Sequence, residues 1–482
     1  MKIFIMLGLV LSLFTAGVSP LQAAASASIG VNTTADELTL DGNCSLREAI
    51  QAAKMDSAVD ACPAGNGADI ITLPPGTYLL NIAGPNEDDN LSGDLDLTTS
   101  VTLNGHSAAD TIIDANSLDR VLQVASGANI TLSNLTLRNG KVLDQTSHNN
   151  GGGIYNAGAL TLDHVILSGN QASQSDASAR QPQGGGIYNR GTLILTHTLL
   201  ENNSASHTTA WMNAGQGGGL FNAAGATATL TDVSLSSNST ANTLPMQQNG
   251  SGGGIYNDNA VLTLERTTVD HNTAGGSSPG SGYGGGIYNN NGTVTLTNVT
   301  LSGNLAPGGI SYGGGLYNKG ASSNMTLTYV TLYANKAGNL GGNLYNFFGA
   351  TPIKVRSSII ASPTALFTDN CAGGLESDPT TRITDLGNNL EYPAALTASR
   401  ICGLNVSDPK LMDLTLNAPG ETQTHALQAG SAALDVAGAC VASPTRDQRG
   451  VLRPQGTSCD IGAYEKDEEP IFLRVFLPVV MR

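Results

Sequence analysis

Between residues 151 and 346, apolar side chains recur at every second position in short runs divided by glycine and small polar residues. Leu160-Thr-Leu162 precedes Val165-Ile-Leu167-Ser-Gly-Asn170, and Val294-Thr-Leu296 precedes Val299-Thr-Leu301-Ser-Gly-Asn304. A period of two predicts strands with one buried face. Polar pairs such as Asp163-His164 and Thr297-Asn298 separate the two runs. Ahead of each pair stands a glycine-rich hexapeptide. Gly-Gly-Gly-Ile-Tyr-Asn begins at Gly151, Gly184, Gly252 and Gly284, with variants at Gly217, Gly313 and Gly341. Successive starts lie 33, 33, 35, 32, 29 and 28 residues apart, the period of a solenoid or propeller. One repeat therefore reads strand, corner, strand, corner, strand, long corner.

Leu296-Thr-Asn-Val299-Thr-Leu301-Ser-Gly-Asn304 also fits a leucine-rich-repeat template, but such a repeat returns through an apolar helix or 3₁₀ turn. Here the returns are mostly Ser, Thr, Gln and Gly, so a helix is not expected. The expected fold is all-β: a right-handed parallel β-helix of about ten coils spaced about 4.8 Å apart. In it Ile154, Ile187, Leu220, Ile255, Ile287, Leu316 and Leu344 form one inward column, and Tyr155 points out or towards a corner. The glycines admit backbone angles that other residues avoid, beside a crowded neighbouring coil. Asparagines 170, 203, 238, 272, 304 and 335 recur at one corner, and 156, 189, 222, 257, 289, 318 and 346 at another. Stacked amides of this kind hydrogen-bond along the rod.

Open-ended solenoids need caps. In Cys-Ser-Leu-Arg-Glu-Ala-Ile-Gln-Ala-Ala (44–53), Ser45 and Glu48 have capping-box spacing, while Leu46, Ala49, Ile50 and Ala53 share one face. This predicts an amphipathic helix across the N-terminal end. Residues 1–27 carry the charge, apolar run and small-residue pattern of a secretory signal peptide. Six cysteines in an exported chain imply disulfides, and proximity pairs Cys44 with Cys62, Cys371 with Cys402 and Cys440 with Cys459. The net charge of −16 argues against nucleic acid and anionic membrane surfaces.

The segment 44–53 resembles the CSLREA motif of exported bacterial β-helix proteins. Arg-Asp-Gln-Arg-Gly-Val-Leu-Arg-Pro-Gln-Gly-Thr-Ser-Cys-Asp-Ile-Gly-Ala-Tyr-Glu (446–465), with Gly-Ser-Ala-Ala-Leu-Asp (430–435) ahead of it, resembles the end of a choice-of-anchor Q domain. The repeats are also similar to polymorphic-membrane-protein repeats. These resemblances imply a secreted or surface right-handed β-helix; only 17 residues follow Glu465, so the membrane barrel of an autotransporter is not expected. The expected organisation is a signal peptide (1–27), N-terminal cap and first coils (28–100), β-helix repeats (101–420), a C-terminal cap (421–465) and an apolar tail (466–482). The tail reads either as a late strand or as a sorting signal.

Candidate chemistry is sparse. Asp88, Asp89, Asp94 and Asp96 cluster around Gly93 and suggest either a Ca²⁺ site or a solvated acidic loop. Asp163 and Asp232 read as turn formers in equivalent inter-strand turns. Histidines 164, 197, 207 and 271 lack linear metal-ligand spacing and read as surface or turn residues. A pectate-lyase-like polysaccharide lyase or hydrolase would need a base or a carboxylate pair. Arg138 and Lys141 are the nearest approach to a basic pair, and no polygalacturonase-type motif accompanies them. The long corners hold 13, 13, 13, 11, 8 and 5 residues between repeat asparagine and next hexapeptide. All insertions fall at one corner, where recognition usually resides. Arg180, His207 and Trp211 are the binding candidates. The expected function is a monomeric surface or secreted adhesion-like or structural protein with a protein or glycan partner, no transmembrane segment in the mature chain and no nucleic-acid partner.

Overall fold

In a computed structural model, the described residues are 26–84, 87–143, 150–174, 181–207, 215–240, 249–276, 280–362, 370–373, 382–393, 402–436 and 438–467. Most of the expected signal peptide and most of the apolar tail lie outside them. The hexapeptide strands form a ten-stranded parallel sheet running from Leu95–Leu97 to Cys371–Gly373. The other two strands of each coil belong to a 19-stranded sheet. The chain is thus a parallel β-helix, right-handed as connections between parallel strands require. The expected inward column is in register from coil to coil, and each of its seven side chains is 0% exposed. Stacking begins earlier than residue 101, with Ser28–Gly30 on Asp69–Leu73. It ends at Asn405–Val406.

The hexapeptide glycines answer to two constraints. Gly252 has φ +64°, in the left-handed region that favours glycine. A Cβ on Gly253 would lie 2.5 Å from backbone atoms of both Gly285 and Thr273, so the neighbouring coil leaves it no room.

Both asparagine columns are hydrogen-bonded ladders. Asn156 Nδ2 donates to Asn189 Oδ1 at 2.7 Å, Asn189 to Asn222 at 2.8 Å and Asn222 to Asn257 at 2.8 Å. In the other column the amides also donate to strand carbonyls, as Asn203 Nδ2 does to Leu167 O at 3.0 Å. Every inward-facing corner donor thereby finds a partner, which buried polar groups require.

Tyr155, Tyr188, Phe221, Tyr256, Tyr288, Tyr317 and Tyr345 stack along the outer side of the hexapeptide sheet, with centroids 4.6–5.3 Å apart. Their faces cover one another, and Tyr256, Tyr288 and Tyr317 are only 4–6% exposed. The aromatic column is therefore a structural ladder and not an open stacking platform.

At the N-terminal end, Leu46–Met55 is the expected helix. Ser45 Oγ accepts from Glu48 N at 3.2 Å, and Glu48 Oε2 accepts from Ser45 N at 2.9 Å. The arginine of the motif has a structural task. Arg47, 1% exposed, pairs with Asp36 at 2.7 Å and donates to the carbonyls of Gly93 and Asp94. It thereby ties the helix to the first coils.

The C-terminal segment lies elsewhere than an end. Leu411–Leu416 and Gln423–Leu427 form an antiparallel hairpin, not a coil. With residues 431–465 it runs as a strap along the flank of the third-strand face. Thr268 Oγ1 donates to Gln423 O, Asn298 Nδ2 to Arg446 O, Tyr329 OH to Ala439 O and Gly462 N to Ser357 O, at 2.6–2.9 Å. The end itself is handled by Glu391, which is fully buried and accepts the Cys402 N–H on both oxygens at 3.0 and 2.9 Å. The Cys371–Cys402 bridge joins the same coil. Cys440–Cys459 closes the strap instead.

Candidate functional site

The long corner is built on stacked stems. Lys141–Leu143, Gln171–Gln174 and Ser204–His207 form a parallel three-stranded sheet as the chain leaves the third strand. Ser239, Thr273 and Leu305 continue the column through single bridges from Ser204. On the return, Asn150, Gln183, Gln216 and Ser251 bridge in sequence, and Tyr283, Tyr312 and Leu340 do likewise. Gln183 Nε2 donates to Gln216 Oε1 at 2.8 Å. Both ends of each loop are therefore held in one register and on one side of the rod.

Of the binding candidates, Arg180 and Trp211 lie outside the described residues. His207 belongs to the stem strand and is 1% exposed, so the surface reading is corrected: Ala205, Ser206 and His207 are buried in succession, on both faces of the stem strand.

The acidic stretch folds against the helix but its carboxylates diverge. Asp89 pairs with Lys54 at 2.9 Å, Asp88 accepts from Gln123 Nε2 at 2.9 Å, and Asp94 pairs with Arg120 at 3.3 Å. Asp96 accepts the Asn90 N–H at 3.0 Å. Asp94 and Asp96 are each 1% exposed. Burial pushes both carboxyls well above the ordinary range, against the pull of Arg120 on Asp94 and with the added repulsion of Asp94 on Asp96. The four do not converge on a common point. Asp96 Oδ1 and Asn90 Oδ1 are buried oxygens there that accept no hydrogen bond among the described residues.

Arg138 is engaged by Asp114 at 2.7 Å and is not poised as a base. Ser302 Oγ and His425 Nε2 are 2.9 Å apart, with His425 Nδ1 on Met412 O at 2.6 Å. The pairing resembles a nucleophile with its base. Both residues are at most 4% exposed, so the contact fastens the hairpin to the rod.

The C-terminal motif is likewise a buried polar network. Asp447 Oδ2 accepts from Arg449 Nε at 2.9 Å and from Glu465 N at 3.0 Å. Glu465 Oε2 pairs with Arg453 at 2.7 Å. The guanidinium of Arg449 covers the Tyr464 ring at 3.8 Å, and that of Arg453 covers Tyr329 at 4.1 Å. The motif's charges thus hold the strap in shape and dock it on the coils.

One cluster escaped sequence reasoning. Asp163, His164 and His197 form a group, among the described residues, whose ligand atoms all lie within 4.8 Å of one another. Linear spacing conceals it because a full coil separates the two histidines. The register also corrects the turn assignment: Asp163 stacks on Thr196, which stacks on Thr231. Asp232 therefore follows His164 and His197, one place further on. That bend column, Asn134, His164, His197, Asp232, Arg266, Asn298, Tyr329 and Ser357, has φ between +46° and +57° throughout. Asn, Asp and His, the types enriched in this region, hold five of the eight places, and Arg266, Tyr329 and Ser357 take the same conformation without that preference.

Among the described residues, no helix is long and apolar enough to cross a membrane. Compared with protein-family models, curated proteins and solved structures, the chain gives no match.

Proposed function

We propose that the chain is an exported cell-surface or extracellular scaffold that presents its corner loops to a protein or glycan partner. The observation that carries this reading is the registered stacking of the loop stems. It aligns segments of unlike sequence along one side of a rigid rod, an arrangement suited to recognition. Three disulfides suit an oxidising compartment. The strap lies against the third-strand face from Thr268 to Ser357, and the aromatic ladder is packed, so neither of these surfaces is free to vary. The kinship with CSLREA and choice-of-anchor Q proteins belongs to this proposal. Its support is that both end motifs consist of residues with specific buried contacts, Arg47 in one and Asp447, Arg449, Arg453 and Glu465 in the other.

The test replaces residues 175–180, 208–214 and 241–248 by short Gly-Ser links and keeps the stems. The parent and the variant are compared on a glycan array containing polyuronates and on intact cells. The expected result is binding by the parent, loss of binding by the variant and an unchanged melting temperature. Undiminished binding by the variant, or cleavage of a polyuronate by the parent, overturns the reading.

A further inference from the structure

We infer that Asp163, His164 and His197 form a binding site for a divalent transition-metal ion such as Zn²⁺, on the flank of the rod. His164 and His197 occupy the same bend in successive coils, and both backbones are left-handed, with φ +54° and +46°. Their rings stack with centroids 4.5 Å apart and planes inclined by 23°. This geometry turns both Nδ1 atoms towards one carboxylate oxygen. Asp163 Oδ1 is 3.1 Å from His164 Nδ1 and 2.9 Å from His197 Nδ1.

These separations are close to what a tetrahedral ion needs. With bonds of about 2.0–2.1 Å, such an ion holds its ligands about 3.3 Å apart, so small side-chain rotations open the room. The cluster is half-exposed and can be reached from solvent. Two imidazoles and a carboxylate favour Zn²⁺, Cu²⁺ or Ni²⁺ over Ca²⁺ or Mg²⁺, which prefer all-oxygen shells. Three protein ligands leave a position for water or an outside donor.

A second element supports the assignment. Glu421, on the strap, places Oε2 3.5 Å from His197 Nε2. A metal on Nδ1 fixes the proton on Nε2, and that N–H then faces the Glu421 carboxylate, the outer-shell arrangement that orients metal-bound histidines. Thr196 Oγ1 donates to Asp163 Oδ1 at 2.7 Å and holds the carboxylate in place. Asp232 in the next coil is taken up by Arg266 at 2.7 Å, which also pairs with Glu265 at 2.6 Å. In the metal-free protein, the Asp163 hydrogen bond raises the affinity of His197 for protons. Protons and metal therefore compete for the same atoms.

The test uses the full mature chain stripped with chelator and titrated calorimetrically with Zn²⁺, and separately with Ca²⁺, at neutral pH and at pH 5.5. One equivalent of Zn²⁺ is expected, with weaker binding at the acid pH. His164→Gln and His197→Gln should each reduce affinity by about tenfold or more, and Glu421→Gln by about tenfold. His271→Gln, which removes a histidine paired with Asp270 at 2.8 Å, should leave it unchanged. Circular dichroism verifies that each variant is folded. Absence of stoichiometric Zn²⁺ binding, or binding undiminished in both folded variants at 164 and 197, overturns the inference.

Discussion

Asn238 Nδ2 stands 3.0 Å from Asn272 Oδ1 in the next coil, while Asn238 Oδ1 accepts from Asn203 Nδ2 at 3.0 Å in the coil before. Each amide is thus both donor and acceptor along the axis, and the same side chain serves the backbone through Leu200 O and Asn203 N. Asn238→Ala leaves the Asn203 N–H without this acceptor and takes a donor from Leu200 O, while Asn203 Nδ2 keeps Leu167 O and Asn272 Oδ1 keeps the Asn238 N–H, in a site that is 0% exposed. At about 1–3 kcal/mol for a buried group left unpaired, the loss is expected to be on the order of 2–4 kcal/mol. The check is the urea midpoint, with Asn202→Gly as control, because that exposed neighbour is already left-handed.

Arg47→Ala should be costly out of proportion to the size of the helix. It leaves Asp36 without its cation and frees the carbonyls of Gly93 and Asp94. Breaking a buried pair by removing one partner costs roughly 3–5 kcal/mol. Limited proteolysis should then cut within residues 28–100 first, while the repeat region stays protected.

The pH response should differ between the two parts. Asp94 and Asp96 hold protons more tightly folded than unfolded, because burial disfavours their charge. The folded state binds the extra proton, so the N-terminal part loses stability as pH rises from the ordinary carboxylate range through the raised one. Asp96→Asn should flatten that slope. His425 behaves oppositely. Burial depresses its affinity for protons, so the unfolded chain takes up the proton first. Its contribution is present above the ordinary histidine range and is lost as pH falls through that range towards the lowered folded value. Hydrogen exchange measured segment by segment across pH 4–8 separates the two; parallel behaviour of both segments would count against these assignments.

Non-reducing peptide mapping should recover Cys44–Cys62, Cys371–Cys402 and Cys440–Cys459, whose Cα atoms lie 4.8–5.0 Å apart. Each closes a short loop and is worth roughly 3 kcal/mol. Replacing Cys371 and Cys402 by alanine should loosen the last coil, whereas replacing Cys440 and Cys459 should loosen the strap and leave the coils stacked.

What could be read from the sequence was whatever repeats once per coil. Ile255 and Ile287, or Asn238 and Asn272, announce their contact because the same residue type returns at the same place. The capping box was equally legible, since Ser45 and Glu48 are three residues apart and need nothing else. The strap was not. Gln448 Nε2 donates to Thr268 Oγ1 across 180 residues; Thr268 recurs as Thr300 and Thr331 in the next coils, but Gln448 has no counterpart that would announce the contact. The cluster at Asp163, His164 and His197 was hidden for a related reason. Its two histidines share a column in which His follows His but Asp and Arg come next, and Asp163 stands one place before it, so only the register reveals the three as neighbours.

The strap also changes how the rod comes apart. Coils that touch only their neighbours can peel away one at a time from either end. Here a single chain segment is fastened to Arg266, Thr268, Asn298, Ser302, Tyr329, Thr331, Ser357 and Asn388 in turn. Those coils cannot separate without first shedding the strap, so under load they should give way together in one large rupture. Among the described residues, the coils between Ser28 and Asp163 make no such hydrogen bonds to the strap and should unspool in small successive steps. The molecule is in effect a rope spliced over half its length, with its yielding end towards the N-terminus.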